Sequence, residues 1–162
     1  MASELGVQTI QHTNGTDALT ISSTGDVTMP NRKIYHWHAY RDAGDVGVNT
    51  DIVFDNEISD SDGIYDNTTG IVTIPVTGVW QINFIGMSSD TAGNTGIGLF
   101  DKDNNRYDKI AVRNSSSWYG NISGSVALAL TSGDTIKWRV THGAIYGQTG
   151  NLVPTFSGFF VG

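Results

Sequence analysis

The sequence lacks cysteine and is poor in charged residues. None of its 162 residues is Cys, and only 15% are Asp, Glu, Lys or Arg. The absence of cysteine excludes a disulfide framework and a thiolate metal site. The 16 acidic side chains outnumber the 9 basic ones, so the formal net charge is −7, and Lys and Arg form no run. This balance argues against binding to nucleic-acid phosphates and against docking on anionic lipid.

Long apolar stretches are also missing. No run approaches the roughly 20 residues that a helix needs to span a bilayer. The start, Met-Ala-Ser-Glu-Leu-Gly, has neither the basic region nor the apolar region of a secretory signal. We therefore expect no membrane insertion, and synthesis in a cytoplasm without export by the general route.

The pattern that is present is that of β-strands. No segment sustains apolar residues at the i, i+3, i+4 and i+7 positions of a helix, whereas period-two alternation is common. The clearest hairpin covers residues 122–141, where two alternating stretches flank a turn at 131–134. Short strands with turn signals at this spacing predict an all-β, antiparallel sandwich or barrel. The other predicted strands of this domain cover residues 34–40, 51–54, 71–74, 80–84, 95–101, 107–113 and 155–161.

The last of these strands is rich in aromatic residues. Alternation places Phe156 and Phe160 on one face, and Phe159 and Val161 on the other. Because both faces are largely apolar, the pattern predicts a central strand that is covered on both sides.

The amino-terminal residues differ from the rest. Two very short strands, 18–21 and 27–29, are joined by a turn and closed by Pro30. A hairpin of this size buries too little to be stable alone, so it must pack on the main domain, on sister chains or on another protein. We predict an amino-terminal anchoring or trimerising segment at 1–30 and a main domain at 31–162. The candidate anchoring side chains are Leu19, Ile21, Val27 and Met29.

The main domain resembles a known family in the spacing of its motifs. The spacing of its apolar, aromatic, acidic and glycine positions follows the signature of the C1q/tumour-necrosis-factor-like domain. That series is Phe54, Asp60, Tyr65, Val72, Gly78, Trp80, Ile82 and Phe84. Residues 127–134 are similar to the family's Leu-x-Leu-x-x-Gly-Asp motif, and residues 156–159 to its closing motif. The family usually has an aromatic residue at Val72, Tyr at Trp80 and Phe at Ile82, and all three departures stay apolar or aromatic.

This resemblance covers residues 34–162 and implies both a fold and an assembly. The implied fold is a ten-stranded antiparallel jelly-roll sandwich, here preceded by the short hairpin segment, and the implied assembly is a compact homotrimer. We expect no enzymatic activity, because the sequence has no Gly-x-Ser-x-Gly, no phosphate-binding glycine loop and no His-Glu-x-x-His. The residues expected in the core or at the trimer contact are Phe54, Tyr65, Trp80, Phe84, Trp138, Phe156 and Phe159.

The amino-terminal segment adds a second resemblance. Residues 15–30 are similar to segments that precede such domains in bacteriophage virion proteins, and the chain lacks the collagen-like Gly-X-Y repeat of animal relatives. The resemblance implies a protein on the outer surface of the virion. We expect a trimeric capsid decoration or cement protein that contacts the major capsid protein, because the segment is too short for a fibre shaft. The alternative is the receptor-binding tip of a tail fibre that contacts a glycan or protein of the host cell surface.

Three loop aromatics are candidates for surface binding. Trp118 and Tyr119 lie in the predicted loop 114–120, and Tyr146 lies in the predicted loop 143–151. Such aromatic rings stack on sugar rings. For Trp118 and Tyr119 the alternative is a plug in the mouth of the barrel or in the trimer seam.

No cofactor and no resident metal are expected. His36 and His38 are the candidate metal ligands, because one His from each of three chains would suit zinc or nickel on a three-fold axis. No third ligand lies nearby in the sequence, so two polar strand positions are the alternative. Calcium is a minor candidate at the acidic loops 60–63 and 101–105. For 101–105 a hairpin turn built on Asp and Asn side chains is favoured.

Overall fold

The computed structural model describes residues 8–11, 13, 15, 17–29, 33–89, 93–115, 120–150 and 153–162. The chain forms two compact units, residues 1–34 and 35–162. Every regular element in the described ranges is a β-strand. The same ranges hold no helix of the length and hydropathy needed to cross a membrane.

The first unit contains a three-stranded antiparallel sheet. Its strands are β1 (Thr9–Gln11), β2 (Asp17–Ile21) and β3 (Val27–Thr28), in the order β1-β2-β3. The turn between β2 and β3 closes around the Ser22 hydroxyl, which accepts the backbone N–H groups of Thr24 (3.2 Å) and Asp26 (3.0 Å). The sequence predicted the β2–β3 hairpin but not β1, since three residues with one apolar side chain show no period-two pattern. Pro30 and Asn31, where the sequence placed its domain boundary, lie outside the described residues.

The second unit is a sandwich of two five-stranded sheets. Its strands are β4 (His36–Tyr40), β5 (Asn56–Asp60), β6 (Tyr65–Asp66), β7 (Ile71–Thr73), β8 (Gly78–Met87), β9 (Gly93–Phe100), β10 (Arg106–Ser115), β11 (Asn121–Leu130), β12 (Thr135–His142) and β13 (Thr155–Phe160). We call β11-β8-β13-β4-β5 the front sheet and β10-β9-β12-β7-β6 the back sheet, in the strand order observed. All strand pairs are antiparallel, which confirms the predicted jelly-roll sandwich with ten strands.

The predicted strand at 51–54 is wrong as a strand. Only Asp51 pairs there, as an isolated bridge to Arg139. Ile52 and Phe54 are fully buried side chains of an otherwise irregular segment. Their alternation therefore reflects burial rather than pairing. The sequence also missed β5 and β6, because one is polar and the other is two residues long.

The carboxyl-terminal strand β13 lies between β8 and β4, in the middle of the front sheet, so the predicted central position is confirmed. The prediction that both of its faces are covered is wrong within one chain. Phe156 is fully buried, whereas Phe159 and Val161 are 46% and 55% exposed. Phe159 is thus not a core residue, because alternation turns it away from the back sheet.

The core is built around the ring of Phe156. Its ring centroid lies 5.3 Å from the ring centroids of Trp37 and Phe54. It lies 6.0 Å from those of Tyr65 and Trp138. These neighbours come from both sheets and from the irregular segment, so Phe156 joins the layers. The other predicted core residues are also buried: Phe54, Tyr65, Trp80, Phe84 and Trp138.

A close approach explains the glycine that follows Phe156 by two positions. A Cβ atom at Gly158 would lie 2.2 Å from the ring of Trp37. The indole can therefore approach the β13 backbone this closely only if residue 158 has no side chain.

Tyr65 ties the irregular segment to the back sheet. Its hydroxyl donates to the carbonyl oxygen of Phe54 (2.8 Å) and accepts the Phe54 N–H (3.0 Å). Burial raises the pKa of Tyr65 well above its usual range, so the hydroxyl stays neutral. It therefore satisfies both backbone groups of a buried residue that lies outside any strand ladder.

Replacing Tyr65 with Phe should remove both partners of the Phe54 backbone. We expect the free energy of unfolding to fall by about 1–3 kcal/mol, the cost of leaving buried polar groups unpaired. Chemical denaturation measures this change, and Tyr107→Phe, at a residue that is 37% exposed, is the matched control. Equal stability of the two variants would show that the Tyr65 hydroxyl does not hold this segment.

A carboxylate joins two cations on β12. Asp51 accepts from Lys137 Nζ (2.8 Å) and from Arg139 Nε (2.6 Å), and the Lys137 side chain is nearly buried. Partial burial opposes ionisation of Asp51, but the hydrogen bonds from Lys137 and Arg139 outweigh it, so the pKa of Asp51 lies below its ordinary 3.8. An unpaired buried ammonium is costly, so Lys137 depends on this partner.

This arrangement predicts an acid-dependent loss of stability. Because folding lowers the pKa of Asp51, its contribution is present above its unfolded-state pKa of 3.8 and is lost as the pH falls through the folded-state pKa. We expect Asp51→Asn to melt lower than the parent at neutral pH, and its melting temperature to depend less on pH below about pH 4. Asp103→Asn is the control, because Asp103 pairs with Lys102 at the exposed surface. Parallel melting profiles for the parent and Asp51→Asn would contradict this role.

Candidate functional site: the outer face of the front sheet

The front sheet turns one side to the core and presents the other to the outside. We call the outward residues of the four strands β4, β8, β11 and β13, together with Val161, the front face. The edge strand β5, which carries Glu57 and Asp60, is not part of it. All residues of the front face are among the described residues, and none is Asp, Glu, Lys or Arg. They are His36, His38, Tyr40, Val79, Gln81, Asn83, Ile85, Met87, Asn121, Ser123, Ser125, Ala127, Ala129, Thr155, Ser157, Phe159 and Val161.

Several large apolar side chains of the front face are exposed. Val79 is 38%, Ile85 56%, Phe159 46% and Val161 55% exposed. The strand register brings Val79 beside Val161, through the backbone bonds Val79 N–H to Gly162 O and Val161 N–H to Val79 O. Elsewhere in the described part of this unit, the exposed large apolar residues are Val48, Ile58 and Tyr107. Within the described residues the front face is thus the main apolar surface of the unit, and such surfaces mark contacts with other molecules.

A row of polar residues crosses the centre of this face. The register aligns Ser125, Asn83, Ser157 and His38 across the four strands. The neighbouring row places Gln81 beside Phe159. The polar row therefore lies between the apolar positions at either end of the face.

Three side chains of these two rows form a hydrogen-bonded cluster. Gln81 Nε2 donates to Ser125 Oγ (2.6 Å) and, more weakly, to Asn83 Oδ1 (3.4 Å). Ser125 Oγ in turn donates to Asn83 Oδ1 (2.8 Å). We call Gln81, Asn83 and Ser125 the amide cluster. It borders an open depression of about 560 Å³ that is lined by Asn83, Phe84, Ile85, Ser123, Gly124, Ser125 and Ser157.

The chemistry of the front face suits binding rather than catalysis. Its titratable side chains are His36, His38 and Tyr40, and neither histidine has a carboxylate partner on this face. The whole chain carries a formal charge of −7. A surface without carboxylates can be covered by a second acidic chain without burying an unpaired charge.

The sequence profile of the C1q domain matches residues 38–161. The chain belongs to the C1q domain family. C1q domains are binding or structural modules. The predicted resemblance to this fold is therefore confirmed, whereas the bacteriophage origin stays a prediction.

Solved structures show the same fold as this C1q domain. The globular domain of zebrafish complement 1qA aligns with a TM-score of 0.62 and 19% identity, over 79% of this chain and 98% of that one. The Eiger TNF of S. frugiperda aligns with a TM-score of 0.63 and 15% identity, over 81% and 94%. Murine APRIL aligns with a TM-score of 0.58 and 12% identity, over 80% and 100%. Comparison with curated protein sequences gives no match.

The two histidines of the C1q domain lie on the front face. In the strand register His36 is beside Phe159, and His38 is beside Ser157 and Ser59. Among the residues that the structure describes, no group of three or more His, Asp or Glu side chains is placed to hold a metal ion. A site shared between chains stays a prediction, and so does the alternative of two polar strand positions.

In both acidic loops a carboxylate accepts hydrogen bonds from nearby backbone N–H groups. Asp101 accepts hydrogen bonds from the N–H and the side-chain amide of Asn105, both at 2.8 Å, and those bonds hold the pKa of Asp101 below its usual range. Residues 101–105 thus form the predicted side-chain-stabilised turn. Asp60 likewise accepts the N–H groups of Ile64 (3.1 Å) and Tyr65 (3.0 Å). Both carboxylates serve local structure.

Tyr146 lies at the end of the sandwich where β8 ends. It is half-buried, its N–H donates to the carbonyl oxygen of Met87 (2.8 Å), and its hydroxyl donates to the side chain of Gln148. Its ring is therefore less available than the sequence suggested. The other two surface candidates, Trp118 and Tyr119, lie outside the described residues.

The predicted anchoring residues divide into two kinds. Leu19 and Ile21 are half-buried within the first unit, whereas Val27 and Met29 are 58% and 50% exposed. Ile10, in the strand that the sequence missed, is 51% exposed and pairs with Leu19. Sequence reasoning also missed Val79, Ile85 and the amide cluster. A signal for Val79 and Ile85 was present in β8. The positions that alternate with its buried residues also include these two apolar side chains.

Proposed function

We propose that the chain is a non-enzymatic, homotrimeric structural protein of a bacteriophage particle, and that it decorates or cements the outer surface of the capsid. The C1q domain forms the trimeric body, and the first unit attaches it to the major capsid protein. The observation that carries the assembly is the front face, which is apolar at its ends and without carboxylates on a strongly acidic chain.

Charge and apolar exposure support a second copy of this chain as the partner of the front face. Two chains of formal charge −7 repel each other over most of their surfaces. A face that lacks Asp and Glu lowers that repulsion locally. Burial of the exposed side chains of Ile85, Phe159 and Val161 in the contact would stabilise the association. Three copies follow from the family resemblance, and cyclic association of this kind uses two different patches on each copy.

The first unit supports the attachment role. Its sheet has two edge strands, β1 and β3, that end the order β1-β2-β3. An edge strand offers unpaired backbone groups to another protein, and Ile10, Val27 and Met29 are exposed beside them. The assignment to a virion rests on the similarity of residues 15–30 to segments of bacteriophage virion proteins.

A receptor-binding tip of a tail fibre is the second candidate. One observation favours it. The chain enters the C1q domain at Tyr35, next to the start of β4, while the loop of Tyr146 lies at the opposite end of the sandwich, beside Met87. Contact with a host glycan or surface protein would use loops at that end of the sandwich.

Cryo-electron microscopy of particles that carry this protein distinguishes the two candidates. Regular density on the capsid surface is the expected result, and density confined to the tail would replace decoration by host attachment. The attachment step is tested in the full chain with the double variant Val27→Asp and Met29→Asp, which should stay trimeric but bind capsids less. Ser23→Asp, in the exposed turn of the same sheet, is the matched control. Undiminished capsid binding by the double variant would contradict the anchoring role.

A further inference from the structure

We propose that the amide cluster joins three copies of the chain in a closed ring of hydrogen bonds, in which Asn83 of each copy donates to Gln81 of the next. This ring sets the register and the number of copies. The inference rests on the proposed trimer and adds to it the polar contact that makes the trimer specific.

The first argument is the hydrogen-bonding capacity left in one chain. Within the cluster, Asn83 uses its oxygen and Gln81 uses its nitrogen. Among the described residues, no partner is found for Asn83 Nδ2 or for Gln81 Oε1. One chain therefore presents an unused donor and an unused acceptor side by side, since the two amide groups are already in contact. The Asn83 amide nitrogen of one copy can therefore donate to the Gln81 amide oxygen of another copy.

The second argument is the position of the cluster. It lies at the centre of a face whose ends carry Ile85, Phe159 and Val161, all about half exposed. Covering this face by another copy removes water from the cluster, and a buried amide group costs free energy unless it is hydrogen-bonded. A polar group in an otherwise apolar contact thus penalises every arrangement that leaves it unpaired. A single buried Asn fixes register and copy number in coiled coils for this reason.

The third argument is access. The open depression of about 560 Å³ is lined by Asn83 together with Ser123 and Ser157. A side chain of a neighbouring copy can reach the Asn83 amide there without displacing the sheet. Each copy contributes one donor to the copy on one side and one acceptor to the copy on the other, so the contact is head-to-tail. Such contacts form a closed ring when the rotation between copies is a whole-number fraction of a full turn.

The test measures which oligomers form. Native mass spectrometry of the full chain is compared with that of Asn83→Leu, which replaces the amide with an apolar side chain of similar shape and adds no charge. We expect the parent to be trimeric and Asn83→Leu to show a several-fold larger share of other species, monomers included, while its circular dichroism is unchanged. Gln81→Leu should give the same result from the acceptor side, and it stands in for Asn83→Leu if that variant fails to fold.

The control is Ser123→Ala, which also lines the depression but belongs to no bond of the cluster. It should stay trimeric. A trimeric parent with Asn83→Leu and Gln81→Leu that are both equally and solely trimeric would overturn the ring and leave the proposed trimer standing. A monomeric parent would overturn the trimer itself, and the ring with it.

Discussion

Replacing Phe156 with Ala is expected to lower the free energy of unfolding by about 3–5 kcal/mol, the range for removing a buried aromatic side chain. Phe156 is fully buried. Its ring contacts Trp37 of the front sheet, Trp138 of the back sheet and Phe54 of the irregular segment between them. Because these neighbours belong to different layers, the cavity cannot close by the movement of a single strand.

Chemical denaturation of the two variants Phe156→Ala and Phe159→Ala measures this effect. The second variant makes the same change on the same strand, but at a side chain that is 46% exposed in the single chain. We expect Phe159→Ala to alter the concentration dependence of unfolding, through association, and to leave the intrinsic stability of one chain close to that of the parent. Equal losses at the two positions would contradict the assignment of Phe156 to the core and of Phe159 to the front face.

Placing a carboxylate on the front face should separate the copies. We expect Ile85→Glu to raise the dissociation constant of the trimer at least about 100-fold, since burying an unpaired charge costs several kcal/mol and each 1.4 kcal/mol is tenfold. The single chain should fold normally, because Ile85 is 56% exposed there. Sedimentation velocity over a dilution series gives the dissociation constants.

Val48→Glu is the control for this experiment. Val48 is nearly as exposed as Ile85, at 51% against 56%, but lies outside the front sheet. Its substitution adds the same charge to the chain without touching the front face, so association should be nearly unchanged. If Ile85→Glu associates as tightly as Val48→Glu, the copies meet through a different surface.

The sequence was sufficient for the fold because several signals agreed. The spacing of Phe54, Tyr65 and Trp80, the alternation in β8 and the turn before β12 all pointed to the same family. The structure confirms the ten-stranded sandwich and the central position of β13. Residues 51–54 misled, because burial of Ile52 and Phe54 imitates a strand where the backbone pairs at Asp51 alone.

The candidate site was less accessible to sequence reasoning. Asn83 and Ser125 lie far apart in the chain and meet only because β8 and β11 pair in one particular register. A hairpin turn fixes register, but β9 and β10 lie between these two strands in the chain, so the sequence does not show that Ser125 lies opposite Asn83. The position of Phe159 could not be predicted for a similar reason. Both faces of β13 carry apolar residues, so the sequence did not indicate which face meets the back sheet.

The mass of the intact chain in solution tests the central claim most directly. Sedimentation equilibrium of the parent protein at micromolar concentration should give three times the 17.4 kDa of one chain, without smaller species in excess. A single species of 17.4 kDa at that concentration would contradict self-association through the front face, and with it the trimeric role proposed on the particle.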